Sequence, residues 1–314
     1  MPNYKRIGII GGDRRLYYIA KQLLEEGRQV IVYALMHQET LRQPEDHKDA
    51  GGIIEASSLQ KFMEYAQVII APIPFSRDGN CIYCENMPKA DSKEALDLSI
   101  HVFYTYIQPQ HIIAGGNIPE AVKKAAEEQN AMIYDFMQLE SVAVENAVAT
   151  AEGTIAEAIK ESDGNLDNSS CVIFGYGRCA KALAKRLAGM NAEVTIVARN
   201  TGQLQEAYEN GYETVQLSDL YEHFSDGKDR LLNADYIFNT VPALIITHDI
   251  LKDMKQDVLL IDIASKPGGT DFAACEKFGL KAMLSLGLPG RYAPKASAEI
   301  LLRSMRHLFS FQEQ

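Results

Sequence analysis

The chain reads CVIFGYGRCA over residues 171–180, where a short apolar run breaks into G-x-G-x-x-A and then into a helical pattern. Gly175 permits a tight turn from strand to helix, Gly177 lets the backbone approach a pyrophosphate, and the small Ala180 lets the helix pack closely on the strand. The first amides of that helix would point their free N–H groups at the phosphates. The stretch therefore predicts a dinucleotide site, whose contacts are the residues of the turn: Gly175, Tyr176, Gly177, Arg178, Cys179 and Ala180.

A second buried-strand pattern, AEVTIVAR at residues 192–199, follows the helix and completes a βαβ unit. An NAD site usually has an acidic residue at the end of this strand, which binds the ribose 2′-hydroxyl, but here the strand ends in Arg199. A guanidinium at this position favours a 2′-phosphate. We therefore predict NADP(H), with NAD(H) as the alternative, and contacts from Arg199, Asn200 and Thr201. The competing interpretation is a solvated arginine at the start of a helix.

The composition narrows the class of protein. The chain has 314 residues and a formal net charge of −11, and an acidic chain argues against a nucleic-acid partner. No apolar run approaches the roughly 20 residues that span a bilayer, so we expect no membrane segment and a cytoplasmic location. The five cysteines, an odd number, do not predict a disulfide framework. Cys81 and Cys84 form one C-x-x-C without a second pair or a nearby histidine, so we predict a surface loop with two thiols and no metal site; a metal or redox function is the alternative.

Buried-strand patterns alternate with helical patterns through two successive series, which predicts parallel sheets. The expected fold is α/β, with two doubly wound, Rossmann-like domains flanking an interdomain cleft. The N-terminal domain would be flavodoxin-like or Rossmann-like and would serve substrate and partner. A last amphipathic helix needs an apolar surface and is predicted to pack back on the first domain. The predicted boundaries are 1–140 for the first domain, 141–165 for a connecting helix, 166–292 for the NADP-binding domain and 293–314 for the last helix.

The first strand-to-helix turn, GGDRR at residues 11–15, is a degraded dinucleotide turn that lacks the full fingerprint. Paired arginines at a helix start predict bidentate binding of substrate carboxylates by Arg14 and Arg15. In the alternative interpretation both arginines are solvated helix residues, and Asp13 is the N-cap.

Open parallel sheets bind ligands beyond the carboxyl ends of their strands. In the second domain, three stretches follow predicted strands in this way: residues 239–242, 264–271 and 287–295. Turn chemistry alone would also account for their Pro and Gly content. Lys266 and Lys295 are the most suggestive residues, because a lysine beside a hydride-transfer centre binds carboxylate or acts as an acid. The candidates for contacts with the nicotinamide half of the cofactor are Thr240, Val241 and Pro242.

The connecting helix contributes a last group, formed by Thr150, Glu152 and Thr154. A spacing of two residues does not put all three on one helical face. A break near Gly153 is therefore needed for them to act together.

Several stretches carry a more specific signal: IIGGDRR at residues 9–15, AEGTI at 151–155, IDIASKPGGTDF at 261–272, and GLPG at 287–290 followed by APK at 293–295. In this order, through both domains, they resemble the landmarks of the A-subunit family of dipicolinate synthase. The sequence departs from the family pattern at Lys266, where we expect arginine, and at Ser285, where we expect proline. The loop of Cys81 and Cys84 is not a landmark of the family.

The resemblance implies an NAD(P)-dependent oxidoreductase that oxidises dihydrodipicolinate, or its hydrated precursor, to pyridine-2,6-dicarboxylate during sporulation. It also implies a flavoprotein-like B-subunit of dipicolinate synthase as partner, in a hetero-oligomer within the mother cell, and self-association of this chain. Two substrate carboxylates need cationic or N–H donors, and Glu152 is the proposed base, with an ordered water as the alternative. The residues assigned on this basis are Glu152 and Lys266 for catalysis, and Arg14, Arg15, Ser265, Lys266 and Lys295 for substrate binding.

Two other functions remain open from the sequence. One is a general NADP-dependent dehydrogenase of another keto or imino acid, resembling the shikimate and 2-hydroxyacid dehydrogenases. The other is a cofactor-binding scaffold for a catalytic B-subunit.

Overall fold

The computed structural model describes the chain over residues 6–36, 41, 52–85, 97–221 and 226–310. The chain divides into two units, each with its own core: residues 1–143 together with 294–314, and residues 144–293. Among the described residues, no helix is long and apolar enough to cross a membrane.

The described residues form short strands, and those near the centre of each sheet are almost entirely buried. In chain order the strands are β1 (Ile7–Ile10), β2 (Val30–Tyr33), β3 (Ile53–Glu55), β4 (Val68–Ile70), β5 (Ile112–Gly115), β6 (Met132–Asp135), β7 (Ser170–Phe174), β8 (Glu193–Ala198), β9 (Glu213–Gln216), β10 (Tyr236–Asn239), β11 (Leu259–Asp262) and β12 (Lys281–Leu284).

Helices follow most of these strands, as the alternating pattern predicts. In chain order they are α1 (Arg14–Glu25), α2 (Leu59–Tyr65), α3 (Ile100–Thr105), α4 (Glu120–Glu128), α5 (Glu140–Glu161), α6 (Arg178–Gly189), α7 (Thr201–Glu209), α8 (Asp226–Leu232), α9 (His248–Leu251), α10 (Phe272–Phe278), α11 (Leu288–Tyr292) and α12 (Pro294–Ser310).

The N-terminal unit is built on a parallel six-stranded sheet of order β3-β2-β1-β4-β5-β6. The C-terminal unit repeats the arrangement with the order β12-β11-β10-β7-β8-β9, again all parallel. In each sheet the order reverses beside the first strand, as in a doubly wound Rossmann sheet, and ligands bind at such a reversal. The prediction of two Rossmann-like α/β domains is therefore confirmed.

The last helix, α12, contacts α1 within the N-terminal unit. Both helices present apolar residues three and four positions apart, which forms one buried stripe on each. Leu16 and Ile19 of α1 share a core cluster with Leu301 and Met305 of α12. Helix α12 thus completes the core of the first unit.

The connecting helix α5 differs in its end from the predicted 141–165. It ends at Glu161, because Ser162 Oγ then accepts a hydrogen bond from Gly164 N at 2.9 Å and turns the chain. Its first turn belongs to the N-terminal unit, where Val142 is buried, and the remainder belongs to the C-terminal unit.

Candidate cofactor site

The glycine turn lies between β7 and α6, at the strand reversal of the C-terminal sheet. Gly175 adopts φ +91°, which residues with a side chain rarely adopt. A Cβ at Gly175 would lie 2.6 Å from Thr240 Oγ1 and 2.8 Å from Val241 Cγ2. The glycine is therefore required by the turn and by the close approach of the chain that follows β10.

Gly177, unlike Gly175, has open space around it. It is the N-cap of α6, no side chain caps the helix there, and a Cβ would meet nothing within 4 Å. The helix therefore begins at open space, into which an anion could come close to the first amides. The residues present thus fit the pyrophosphate of a dinucleotide.

This open space is a cavity of about 300 Å³. It lies beyond the carboxyl ends of β7, β8 and β10. We call residues 240–246, which follow β10 and form one wall, the pocket loop. The residues that line the cavity are Gly175, Tyr176, Gly177, Val197, Ala198, Arg199, Asn200, Gln203, Leu217, Thr240, Val241, Pro242 and Ile245.

Eight of the twelve cofactor contacts predicted from the sequence line this cavity. Four do not: Arg178, Cys179, Ala180 and Thr201. Ala180 is fully buried, which agrees with the packing role expected of the third position of the motif. The Cys179 side chain turns toward α5, where burial raises the pKa of its thiol and a hydrogen bond with Thr150 partly offsets that rise.

Sequence reasoning missed five lining residues: Val197, Ala198, Gln203, Leu217 and Ile245. Val197 and Ala198 end the second strand of the βαβ unit, so their place could have been found from the strand pattern alone. Leu217 follows β9, and Ile245 lies in the pocket loop. Their proximity depends on the strand order of the sheet, which no local pattern encodes.

Arg199 directly follows the carboxyl end of β8, as predicted. Its backbone carbonyl accepts a hydrogen bond from Gln216 Nε2 at 3.0 Å, while its exposed guanidinium makes no ion pair with any described residue. Asn200 caps α7 by accepting a hydrogen bond from Gln203 N at 3.1 Å. The structure therefore agrees with the competing interpretation in that a helix starts here. It also leaves the Arg199 guanidinium available to a ligand.

Lys266 and Ser265 lie in the segment of residues 263–270, which we call the lysine loop, between β11 and α10. Both side chains are exposed at its tip, and the Lys266 ammonium has no ion-pair partner among the described residues. Lys295 belongs instead to the N-terminal unit, where it is the second residue of α12. Its side chain is 73% exposed, and its Nζ lies 4.0 Å from Glu299 Oε1.

Gly11 and Gly12, of the first glycine turn in the N-terminal unit, are covered by the chain itself. Gly12 N donates to the carbonyl of Tyr83 at 2.7 Å, and a Cβ at Gly11 would lie 2.6 Å from the same oxygen. This carbonyl takes the place at the turn that a phosphate needs. The degraded fingerprint thus reflects a turn that binds its own chain.

Arg15 differs from its predicted role in substrate binding. Its guanidinium is buried and paired with Asp13 at 2.7 Å, and it also donates to the carbonyl of Ile73. Asp13 caps α1 by accepting from Arg15 N at 3.0 Å, as the alternative interpretation predicted. Arg15 is therefore a packing residue of the turn, whereas Arg14 is exposed.

Glu152 lies away from the cavity, contrary to its proposed role as base. Helix α5 continues through Gly153 without a break, so Glu152 points elsewhere than Thr150 and Thr154. Its exposed carboxylate pairs with Arg186 Nε at 3.2 Å, two turns along α6 from the glycine turn. Gly153 serves packing, because a Cβ there would lie 2.9 Å from the ring of Tyr292.

Comparisons with known proteins agree with this architecture. Residues 6–137 match the family described as the N-terminal domain of the dipicolinate synthase A-subunit. Residues 136–266 match the family described as D-isomer specific 2-hydroxyacid dehydrogenase, NAD binding domain.

Full-length similarity is found among curated and solved proteins. The chain is 28% identical over 308 residues to the dipicolinate synthase A-subunit of Bacillus subtilis, covering 97% of this chain and 96% of that one. The crystal structure of the dipicolinate synthase A-subunit from Bacillus halodurans has a TM-score of 0.80 at 27% identity and covers 97% of both chains. A transhydrogenase from Sinorhizobium meliloti, at 14% identity and a TM-score of 0.65, covers 97% of this chain and 94% of its own and shares the fold. The match of residues 136–266 to a dehydrogenase NAD-binding domain supports a dehydrogenase-type role and a nicotinamide cofactor for this chain.

Proposed function

We propose that this chain, which resembles the dipicolinate synthase A-subunit over both of its units, oxidises dihydrodipicolinate, or its hydrated precursor, to pyridine-2,6-dicarboxylate. The observation that carries the proposal is the cavity at the glycine turn, together with a lysine on the neighbouring loop that no described residue pairs. The similarity to proteins named for dipicolinate synthesis supports the choice of substrate.

The reaction removes one hydride and one proton from a dihydropyridine and leaves an aromatic ring. Starting from the hydrated precursor, loss of water comes first. A bound nicotinamide supplies the hydride acceptor. Because aromatisation makes the step favourable, the protein has mainly to orient the substrate and to exclude competing reactions.

The residues of the C-terminal unit divide this work. The first amides of α6 hold the pyrophosphate, and Arg199 holds a 2′-phosphate, which favours NADP(H) over NAD(H). Thr240, Val241 and Pro242 form the wall nearest β10. Lys266, with Ser265, binds a carboxylate of the substrate.

The proton has no assigned side-chain acceptor. The pairing of Glu152 with Arg186 argues against Glu152 as the base, so we propose that the proton leaves to water. Arg14 and Lys295, which the sequence predicts to bind substrate, are both exposed in the N-terminal unit, and their role stays a prediction.

A second candidate function follows from the ion pairs of the predicted residues. Glu152, one of the two predicted catalytic residues, is paired with Arg186, and Arg15, predicted to bind substrate, is paired with Asp13. Lys266 is then the one predicted catalytic residue without an ion pair among the described residues, which favours a scaffold that binds cofactor for a catalytic partner. The relatives are named as one subunit of a synthase, which points to such a partner.

The test is turnover by the purified chain. Dihydrodipicolinate, formed in situ, is supplied with NADP+ or NAD+, and pyridine-2,6-dicarboxylate is measured by chromatography, with and without the flavoprotein-like B-subunit. We expect product from the single chain. Product only in the presence of the B-subunit would favour the scaffold, and activity on other keto or imino acids alone would favour a general dehydrogenase.

A further inference from the structure

Asp262, at the end of β11, is a fully buried carboxylate that holds both ends of the lysine loop. Its Oδ1 accepts from Ala264 N at 3.0 Å, where the loop begins. Its Oδ2 accepts from Gly269 N at 2.8 Å and from Thr270 Oγ1 at 2.8 Å, where the loop ends. Asn239 Nδ2 donates to the same oxygen at 2.9 Å.

Asn239 joins this carboxylate to the pocket loop. It ends β10, directly beside Asp262 in the parallel register, and is fully buried. Its Oδ1 accepts from Val241 N at 3.0 Å, and its Nδ2 lies 3.1 Å from the Val241 carbonyl. Val241 lines the cofactor cavity.

Backbone contacts join the two loops a second time. The carbonyl of Gly269 accepts from Ile245 N at 2.9 Å and from Ile246 N at 3.0 Å. A Cβ at Gly269 would lie 2.4 Å from the carbonyl oxygens of Val241 and Ala243. The loops therefore approach so closely that only glycine fits between them.

We infer that Asn239 and Asp262 are positioning residues, which fix Lys266 relative to the wall of the cofactor cavity. Lys266 stands at an exposed tip without a partner among the described residues, so its place is set by the two ends of its loop. Both ends are hydrogen-bonded to Asp262. Movement of the pocket loop is transmitted to Lys266 through Asn239. The inference rests on the proposed function, which assigns the cavity to the cofactor and Lys266 to a substrate carboxylate.

The first test measures the coupling without turnover. Thr270→Val removes one donor to Asp262 and keeps the shape of the side chain. The control is Asp235→Asn, directly before β10 at the amino ends of the strands. There the carboxylate accepts from Ser170 N at 2.7 Å and from Lys255 Nζ at 2.6 Å. Amide hydrogen exchange of residues 263–270 is followed with and without saturating NADPH.

We expect NADPH to slow exchange in the lysine loop of the wild type and of Asp235→Asn, but not of Thr270→Val, although all three bind NADPH. Equal protection of the loop in Thr270→Val would overturn the inference, as would the absence of protection in the wild type. Failure of the wild type to bind NADPH or NADH would contradict the proposed function, and this inference with it.

The second test asks whether the network acts through Lys266. We expect Thr270→Val to raise the KM for dihydrodipicolinate about tenfold, but by less than about twofold in a Lys266→Met background. Equal increases in both backgrounds would show that the network acts elsewhere. An unchanged KM in Lys266→Met alone would remove Lys266 from the site, and with it the inference, while leaving the cofactor assignment intact.

Discussion

The guanidinium of Arg199 decides which cofactor is preferred. We predict that Arg199→Ala weakens NADPH binding by about ten- to hundredfold, the loss of a charged hydrogen bond, and changes NADH binding by less than about twofold. Fluorescence titration of both cofactors measures the effect. Because Asn200 rather than Arg199 caps α7, the helix start should persist, and the circular dichroism spectrum serves as the control. Equal losses for the two cofactors would contradict the 2′-phosphate contact.

Glu152 supplies a test of where the proton goes. Since its carboxylate is exposed and paired with Arg186 outside the cavity, we predict that Glu152→Gln changes kcat by less than about threefold, within what a surface ion pair contributes. Arg186→Gln, which removes the other partner, should behave alike. A drop in kcat of about a hundredfold or more for Glu152→Gln alone would restore Glu152 as the base.

We expect the buried ring of His111 to make the stability of the protein depend on pH. The ring is fully buried, its Nε2 lies 3.0 Å from the Met63 carbonyl, and burial lowers its pKa below the ordinary value. As pH falls below about 6.5, the His111 ring is protonated in the unfolded chain but stays neutral in the folded chain. The free energy of unfolding therefore decreases.

We predict that this decrease, at most about 1.4 kcal/mol per pH unit, is absent from His111→Gln. Urea unfolding of both proteins between pH 7 and about pH 5 measures the two slopes. Parallel pH profiles would contradict the assignment to His111.

In the turn before α6, we predict that alanine substitutions at the two glycines have different effects on stability and on NADPH binding. In Gly175→Ala the new Cβ would lie 2.6 Å from Thr240 Oγ1, and the residue would have to keep a φ of +91°. We therefore expect this substitution to lower the free energy of unfolding by about 1–3 kcal/mol. Gly177→Ala places its methyl group in the open cavity, so it should lower the free energy of unfolding by at most about 1 kcal/mol, the cost of alanine at an N-cap, and weaken NADPH binding at least about tenfold.

Thermal unfolding and NADPH titration of both variants separate these effects. The two variants control for each other, because they add the same methyl group two residues apart. Full NADPH affinity in Gly177→Ala would contradict the placement of the pyrophosphate at the start of α6.

The elements were predictable because each is specified locally. Buried runs such as β7, followed by an amphipathic helix, encode a parallel sheet without knowledge of distant residues. The helix α5 was also predictable, but the joint action of Thr150, Glu152 and Thr154 required a break near Gly153, and the structure has none there. The small residue is explained by the packing of Tyr292, a contact that the helix pattern does not contain.

At the scale of the molecule, the sequence located the cavity but not its support. The residues of the glycine turn and Arg199 follow from a local motif. The roles of Arg15 and Asp262 depend on contacts with Ile73 and Asn239, which are remote in sequence and become neighbours only through the order of the strands. The family resemblance was predictable for a different reason, because its landmark stretches occur in order along a chain whose similarity extends over 97% of its length.

We propose that this chain transfers a hydride from a precursor of pyridine-2,6-dicarboxylate to the nicotinamide that it binds. The most direct measurement uses dihydrodipicolinate deuterated at the ring carbon that loses hydride, the purified chain and NADP+, followed by mass spectrometry of the reduced cofactor. We predict one deuterium in the NADPH for each pyridine-2,6-dicarboxylate formed. Product accompanied by unlabelled NADPH, or by release of the deuterium to water, would contradict the claim.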